Sequence, residues 1–179
     1  MSEARRIRNL ALVGFMGTGK STVGRFVATD LGFEFVDTDA LVEAVTGESI
    51  ADIFAQSGED TFRRMETIAV QSLATRERLV IATGGGLVVT PGNLDSLRAH
   101  ALVVCLWAGP ETILRRTQHQ AHRPLLHDAD PLAKIRALLT IREPHYRQAD
   151  IIISSEHRTG RDVAQQVLHQ FRESRTHRA

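Results

Sequence analysis

Five short apolar runs punctuate the chain: Leu10–Val13, Phe33–Val36, Leu79–Ala82, Leu102–Trp107 and Ile151–Ile153. Each is strand-sized and nearly continuous in apolar residues, the pattern of a strand buried on both faces. The stretches between them have helical length and period. This β-α alternation predicts an α/β fold, a parallel sheet covered by helices on both faces.

Several helix starts are marked. Thr90-Pro91 and Asp130-Pro131 each place a capping side chain before a proline at the first helical position. Ser49–Asp52 and Thr159–Asp162 have capping-box spacing. From Thr117 to Asp130 apolar periodicity fades and three histidines appear, His119, His122 and His127. This segment reads as a mobile loop, and a loop of this length inside one domain is usually functional. The histidines have no cysteine or carboxylate pattern beside them and read as solvent-facing rather than as metal ligands. The polar end, Arg172 to Ala179, is expected to fray.

A length of 179 residues suits one domain, taken as residues 1–179. Mean hydropathy is −0.14, and no apolar run approaches a membrane span. Leu10 to Phe15 is too short and glycine-rich for a signal-peptide core. A net charge of +1 argues against general nucleic-acid binding. The charge is uneven, since residues 30–66 hold ten acids and two bases, and from Arg98 onward thirteen bases face eight acids. That asymmetry suits a small anionic ligand and equally suits ordinary solvated helices. The single cysteine, Cys105, lies in an apolar run. It reads as an inert core thiol and points to a reducing, cytoplasmic setting. With no repeat or coiled-coil pattern, a monomer is the default.

The chemistry begins at Gly14-Phe15-Met16-Gly17-Thr18-Gly19-Lys20-Ser21, which matches G-x-x-x-x-G-K-[ST]. It follows an apolar run and opens an amphipathic helix, Lys20 to Asp30, as a phosphate-binding loop must. Glycines let backbone N–H groups curl around phosphate oxygens, and the helix N-terminus adds positive partial charge. Lys20 is expected to reach the β- and γ-phosphates, and Ser21 to ligate Mg²⁺. Of two lysines against twenty arginines, one stands here, where a compact ammonium suits the site.

Three further pieces lie on the acceptor side. Asp37-Thr38-Asp39 ends the second apolar run and places two carboxylates at a strand's carboxyl end, in the ligand crevice of a parallel sheet. One can serve Mg²⁺ through water, and the other can hold a hydroxyl and take its proton. Taken alone, the triplet fits a solvated loop or a helix cap equally well. In Gly58 to Glu66, Arg63 and Glu66 share a helix face. Arg63 either clamps a substrate carboxylate or forms a surface salt bridge. Gly84, Gly85 and Gly86 follow the third run directly and leave backbone amides bare to a ligand, or form a simple flexible loop.

Together with Arg123-Pro124-Leu125-Leu126 and Arg142-x-Pro144-x-Tyr146, these pieces stand in an order and spacing that resemble the shikimate kinase family, from about Leu10 to Ile153. The resemblance implies a three-layer P-loop kinase fold with a five-stranded parallel sheet in the order 2-3-1-4-5, an acceptor region near 38–66 and a lid near 117–130. It implies ATP and shikimate as partners and phosphoryl transfer to the shikimate 3-hydroxyl, within aromatic amino-acid biosynthesis. The implied ATP-binding residues are Gly14, Gly17, Thr18, Gly19, Lys20, Ser21 and Thr22, with Arg116 stacking on adenine and Arg123 reaching the transferring phosphate from the lid. Ser21 and Asp37 are the implied Mg²⁺ residues, Asp37 through water. Asp39 is the implied base and hydroxyl ligand, and Arg63 and Arg142 hold the carboxylate, with Gly84–Gly86 beside the ring. Lys20, Asp39 and Arg123 are thus the catalytic set. Glu66 is expected to orient the arginines, and Phe54 and Phe62 to wall the site.

Two departures from the family pattern stand out. Thr18 replaces a smaller residue, and Arg147–Asp150 is one residue shorter than in many members, which is expected to shift the last strand slightly. Rival readings are a kinase for a shikimate analogue, one resembling gluconate kinase, and a silent nucleotide-binding module. The paired arginines with the triple glycine argue against gluconate. The intact P-loop, Asp39 and Arg123 argue against a silent module.

Overall fold

The five apolar runs become the five strands of one parallel sheet. In the computed structural model, which describes residues 5–118 and 130–176, these are β1 Asn9–Val13, β2 Glu34–Asp37, β3 Leu79–Ala82, β4 Ala101–Trp107 and β5 Ile151–Ser154. Their order is β2-β3-β1-β4-β5, as the resemblance implies. β1 is central, with Leu10 opposite Val80 of β3 and Leu102 of β4. The helices are α1 Lys20–Leu31, α2 Thr38–Thr46, α3 Ile50–Ser72, α4 Asn93–Arg98, α5 Pro110–Thr117, α6 Pro131–Tyr146 and α7 Gly160–Thr176.

Two cores lie on opposite faces of the sheet, and strand periodicity sorts the residues between them. Leu10 and Leu12 of β1, with Val104 and Leu106 of β4, pack against Val23 and Val27 of α1 and Val163 and Val167 of α7. Ala11 and Val13, with Val103 and Cys105, face Val70, Leu97, Ile113, Ile135 and Leu139 from α3 to α6. Both faces are covered, which is why the strands read as continuous apolar runs. Cys105 is fully buried and its pKa is pushed up to about 12 by burial, so it is the inert thiol expected. A third, smaller cluster joins Val42 of α2 to Ile53, Phe62 and Ala69 of α3.

At the base of the sheet, buried Asn9 donates to Arg76 O at 2.8 Å, accepts from Leu79 N at 2.9 Å and meets His100 Nδ1 at 2.9 Å. Asp150 accepts from Val103 N at 2.8 Å and from both ends of the Arg5 guanidinium at 2.8 and 2.6 Å. That pairing ties the start of the chain to the start of β5.

The expected side-chain caps form, and the box closes in full at Thr159, whose N–H donates back to Asp162 at 3.2 Å. Ser49 accepts from Asp52 N at 3.1 Å, Thr159 from Asp162 N at 3.2 Å, and Asp130 caps α6 through Ala133 N at 3.0 Å. Other expectations need correction. β2 runs one residue later than its apolar run, ending on Asp37. Thr90-Pro91 does not open a helix. Its residues form a turn, with Asn93 N donating to Thr90 O, and α4 begins at Asn93 after Gly92 in the left-handed region, φ 85°. Residues 172–176 are helical rather than frayed, because Phe171 is buried against Phe33 and carries α7 onward. The helix α3 is interrupted at Gly58, whose φ of 79° and ψ of 171° are not helical.

Candidate functional site

The carboxyl ends of β1, β2 and β3 open into a cleft of about 1210 Å³, and most of the expected site residues line it. Its floor is the loop between β1 and α1. Gly14 has a φ of 132°, and a Cβ there would run into the Leu106 carbonyl of β4. Gly19, with φ 96°, is the N-cap of α1 and offers no capping side chain. The first N–H groups of α1 are thereby left to a ligand, the arrangement that suits a phosphate. The Lys20 ammonium folds over the loop and donates to Gly14 O and Phe15 O, both at 2.8 Å. Thr18 Oγ1 also donates to Phe15 O, at 2.8 Å, so the departure at position 18 braces the loop.

Asp37 is both the end of β2 and the N-cap of α2. Its Oδ1 accepts from Asp39 N at 3.1 Å, and its Oδ2 accepts from the Ser21 hydroxyl at 3.0 Å. Asp37-Thr38-Asp39 is therefore a strand-to-helix junction, and the helix-cap reading of Asp37 holds alongside its place in the cleft. The donor set of hydroxyl and carboxylate oxygens at Ser21 and Asp37 is hard and anionic, and it fits Mg²⁺. Among the described residues there is no cluster of three or more His, Cys, Asp or Glu able to hold a metal by themselves. An ion here would share its ligands with phosphate oxygens.

The wall facing the phosphate loop is built around the three glycines. A Cβ on Gly84 would lie 2.6 Å from both Asp39 Oδ1 and Glu66 Oε1, and one on Gly86 would lie 2.6 Å from the Arg63 guanidinium. Gly85 sits against Met16 N of the phosphate loop and Arg142 Nη1. Each glycine therefore faces a different functional side chain. A flexible surface loop does not account for this packing. Thr38 Oγ1 accepts from Gly84 N at 3.0 Å and ties the loop to α2.

Arg63 is bound to Glu66 at 2.5 Å and to Glu59 at 2.8 Å. Glu66 is fully buried, so this is not a surface pair. Burial works against the Arg63 charge, but Glu66 and Glu59 outweigh it and hold its pKa above the ordinary value. Burial, then the charge of Asp37, holds the Asp39 carboxyl above the usual carboxylate range, with Lys20 opposing. Glu66 is raised as well, again mainly by burial, with Arg63 opposing. Asp39 Oδ1 and Glu66 Oε1 are buried with no hydrogen-bond partner among the described residues. Arg142 lies over the Phe15 ring, 5.3 Å from its centroid, which links the wall to the phosphate loop. Phe54 and Phe62 pack with centroids 4.8 Å apart and both line the cleft.

On the other side of the phosphate loop, Arg116 donates to Gly17 O at 3.2 Å, to Ser155 Oγ at 3.0 Å and to Ser155 O at 2.7 Å. It fastens the loop to the end of β5. Thr22 lines the cleft nearby. Arg123, with the greater part of the lid segment, lies outside the described residues. The sequence reading missed Arg158 and Lys134, which also line the cleft. Arg158 follows the carboxyl end of β5, the position that could have marked it.

The comparisons with known proteins agree with this geometry. The family model described as shikimate kinase matches residues 16–172. A curated shikimate kinase of Caldanaerobacter subterraneus subsp. tengcongensis is 47% identical over 165 residues, covering 92% of this chain and 96% of that one. The solved structure of a shikimate kinase from Acinetobacter baumannii in complex with shikimate superposes with a TM-score of 0.89 at 41% identity, covering 95% of this chain and 96% of that one. A gluconokinase from Sinorhizobium meliloti shares the fold alone, at 18% identity and a TM-score of 0.65, covering 97% of each chain. A phosphate loop, a paired-arginine wall and relatives matched nearly end to end lead to one conclusion: the chain belongs to the shikimate kinase family.

Proposed function

We propose that this protein transfers the γ-phosphoryl group of ATP to the 3-hydroxyl of shikimate, giving shikimate 3-phosphate and ADP on the route to aromatic amino acids. The observation that carries the reading is the meeting of Asp39, Arg63 and Arg142 around the three glycines, in one cleft with Lys20. A ligand with a carboxylate at one end and hydroxyls at the other suits that wall. The two guanidiniums take the carboxylate, and Asp39 takes the hydroxyls and selects one of them.

Lys20, the loop amides and Thr22 hold the ATP phosphates, with Arg116 on the adenine side. Ser21 would hold Mg²⁺ directly and Asp37 would hold it through water. When bound, the ion supplies charge neutralisation at the β- and γ-phosphates. In the transfer, the 3-hydroxyl oxygen bonds to the γ-phosphorus as the bond to the β–γ bridging oxygen breaks. ADP leaves with that electron pair, and Asp39 receives the hydroxyl proton. Positioning and charge neutralisation carry most of the rate. Lys20 serves the developing charge from the loop, and Arg123 serves it from the lid. We take the protein to act as a cytoplasmic monomer. No described helix is long and apolar enough to cross a membrane.

The test is a coupled assay of the purified protein with ATP, Mg²⁺ and shikimate, with gluconate as control. Turnover of shikimate alone is expected. Turnover of gluconate in its place, or of neither by folded protein, would reject the reading.

A further inference from the structure

All three carbonyls of the Gly84–Gly86 segment are committed. Gly84 O accepts from Leu87 N at 3.2 Å and Gly86 O from Val89 N at 3.0 Å, inside the short 3₁₀ turn Leu87–Val89. Gly85 O goes instead to the Tyr146 hydroxyl, at 2.5 Å. Tyr146 is the last residue of α6, is 1% exposed, and lies one helical turn beyond Arg142. Burial pushes the phenol pKa up, and Arg142 offsets this only in part, so the hydroxyl keeps its proton and acts as a donor.

The consequence follows from peptide geometry. The chain has no cis peptide among the described residues, so the N–H of the Gly85–Gly86 peptide points opposite to its carbonyl. With that carbonyl drawn onto a buried phenol, the Gly86 N–H is turned to the opposite side. Gly86 lines the cleft, and a Cβ on it would meet the Arg63 guanidinium. Three consecutive glycines have little intrinsic preference that would fix this peptide plane. We propose that Tyr146 is a positioning residue of the acceptor site, whose hydroxyl sets the rotation of the Gly85–Gly86 peptide and so aims the Gly86 N–H at the acceptor. The same helix end carries Arg142, so one short stretch of α6 supplies a clamp charge and orients an amide donor. This inference rests on the acceptor reading above.

Tyr146 is the single tyrosine of the chain, which allows two independent experiments. Tyr146→Phe removes one oxygen and keeps the ring in the core. Steady-state kinetics on this variant should show the KM for shikimate raised on the order of fivefold to twentyfold, with the KM for ATP within about twofold of the unaltered protein. A purely structural role would move both constants together or move only the thermal midpoint. An unchanged shikimate KM, or equal rises in both, overturns the inference. In protein grown with 3-fluorotyrosine, every fluorine signal comes from position 146. That resonance should shift on adding shikimate and stay in place on adding ADP alone. No shift with shikimate, or the same shift with ADP, also overturns it. Failure of the unaltered protein to turn over shikimate would remove the acceptor reading and this inference with it, and the same assay reads that outcome separately.

Discussion

Asp39 on α2 and Glu66 on α3 bring carboxylate oxygens to the same side of Gly84, each 2.6 Å from where its Cβ would sit. Neither oxygen has a hydrogen-bond partner among the described residues. Two carboxylates converge there because a glycine leaves the space open. In Gly84→Ala one of them must move, and the short Asp39 side chain has little reach to do so. The expected outcome is loss of shikimate binding by at least about tenfold with nucleotide affinity retained, since the three atoms nearest that Cβ belong to Asp39 and Glu66. Calorimetric titration with shikimate and with ADP checks this.

Asp39→Asn should lower kcat by about 10² or more, the scale of a lost general base. It should also raise the thermal midpoint. The sign follows from the raised Asp39 pKa, caused first by burial and then by Asp37. The folded state holds that proton more tightly than the unfolded chain does. The ionised carboxylate therefore costs stability, increasingly as pH rises from the ordinary carboxyl value through the raised one. Removing the charge relieves the cost. Scanning calorimetry beside a kinetic assay tests both halves.

The same raised pKa gives a pH dependence. A base must be ionised, so kcat/KM for shikimate should fall as pH drops through a value above the ordinary 3.8 of an aspartate. In Asp39→Asn the residual rate should lose that limb. A pH–rate profile of both proteins decides.

Arg63→Ala and Arg142→Ala should each weaken shikimate binding by on the order of 2–5 kcal/mol, because one charge of a clamp is left without its partner. ATP affinity should change little. Arg63→Ala carries a further cost, since it strips fully buried Glu66 of its 2.5 Å partner. Its thermal midpoint should therefore drop further than that of Arg142→Ala. Binding titrations and melting curves separate the two effects.

Arg123→Ala should lower kcat by roughly 10³, the scale of an arginine acting on a transferring phosphoryl group, with little change in ground-state shikimate affinity. Single-turnover kinetics with a parallel binding measurement checks it.

The fold was legible because its signal is repeated. Five apolar runs of strand length, with β1, β3 and β4 buried on two faces and the edge strands β2 and β5 only in part, leave little choice but a covered parallel sheet, and the phosphate loop marks which strand is central. Boundaries were less secure. Asp37 looks like a loop residue, yet it extends β2 by one position to pair with Ala82 and then caps α2. Thr90-Pro91 looks like a helix start, but the left-handed Gly92 places the start two residues later. The site residues were legible as types. Their arrangement was not, because it depends on contacts between distant segments. That each of three adjacent glycines faces a different side chain, or that Tyr146 bonds to Gly85 across 61 positions of sequence, has no local signature.

The small cluster of Val42, Ile53, Phe62 and Ala69 gives the α2–α3 side of the cleft an apolar foundation, joined through Leu41 to one of the two cores that clasp the sheet. Few buried contacts and a helix broken at Gly58 mark a region of low local stability. Such a corner is expected to open locally at lower cost than the sheet. A bound acceptor that bridges Asp39 on α2 to Arg63 on α3 would then serve as structural cement for that corner. Substitutions that loosen the cluster would be felt first as weaker acceptor capture, long before the sheet itself gives way.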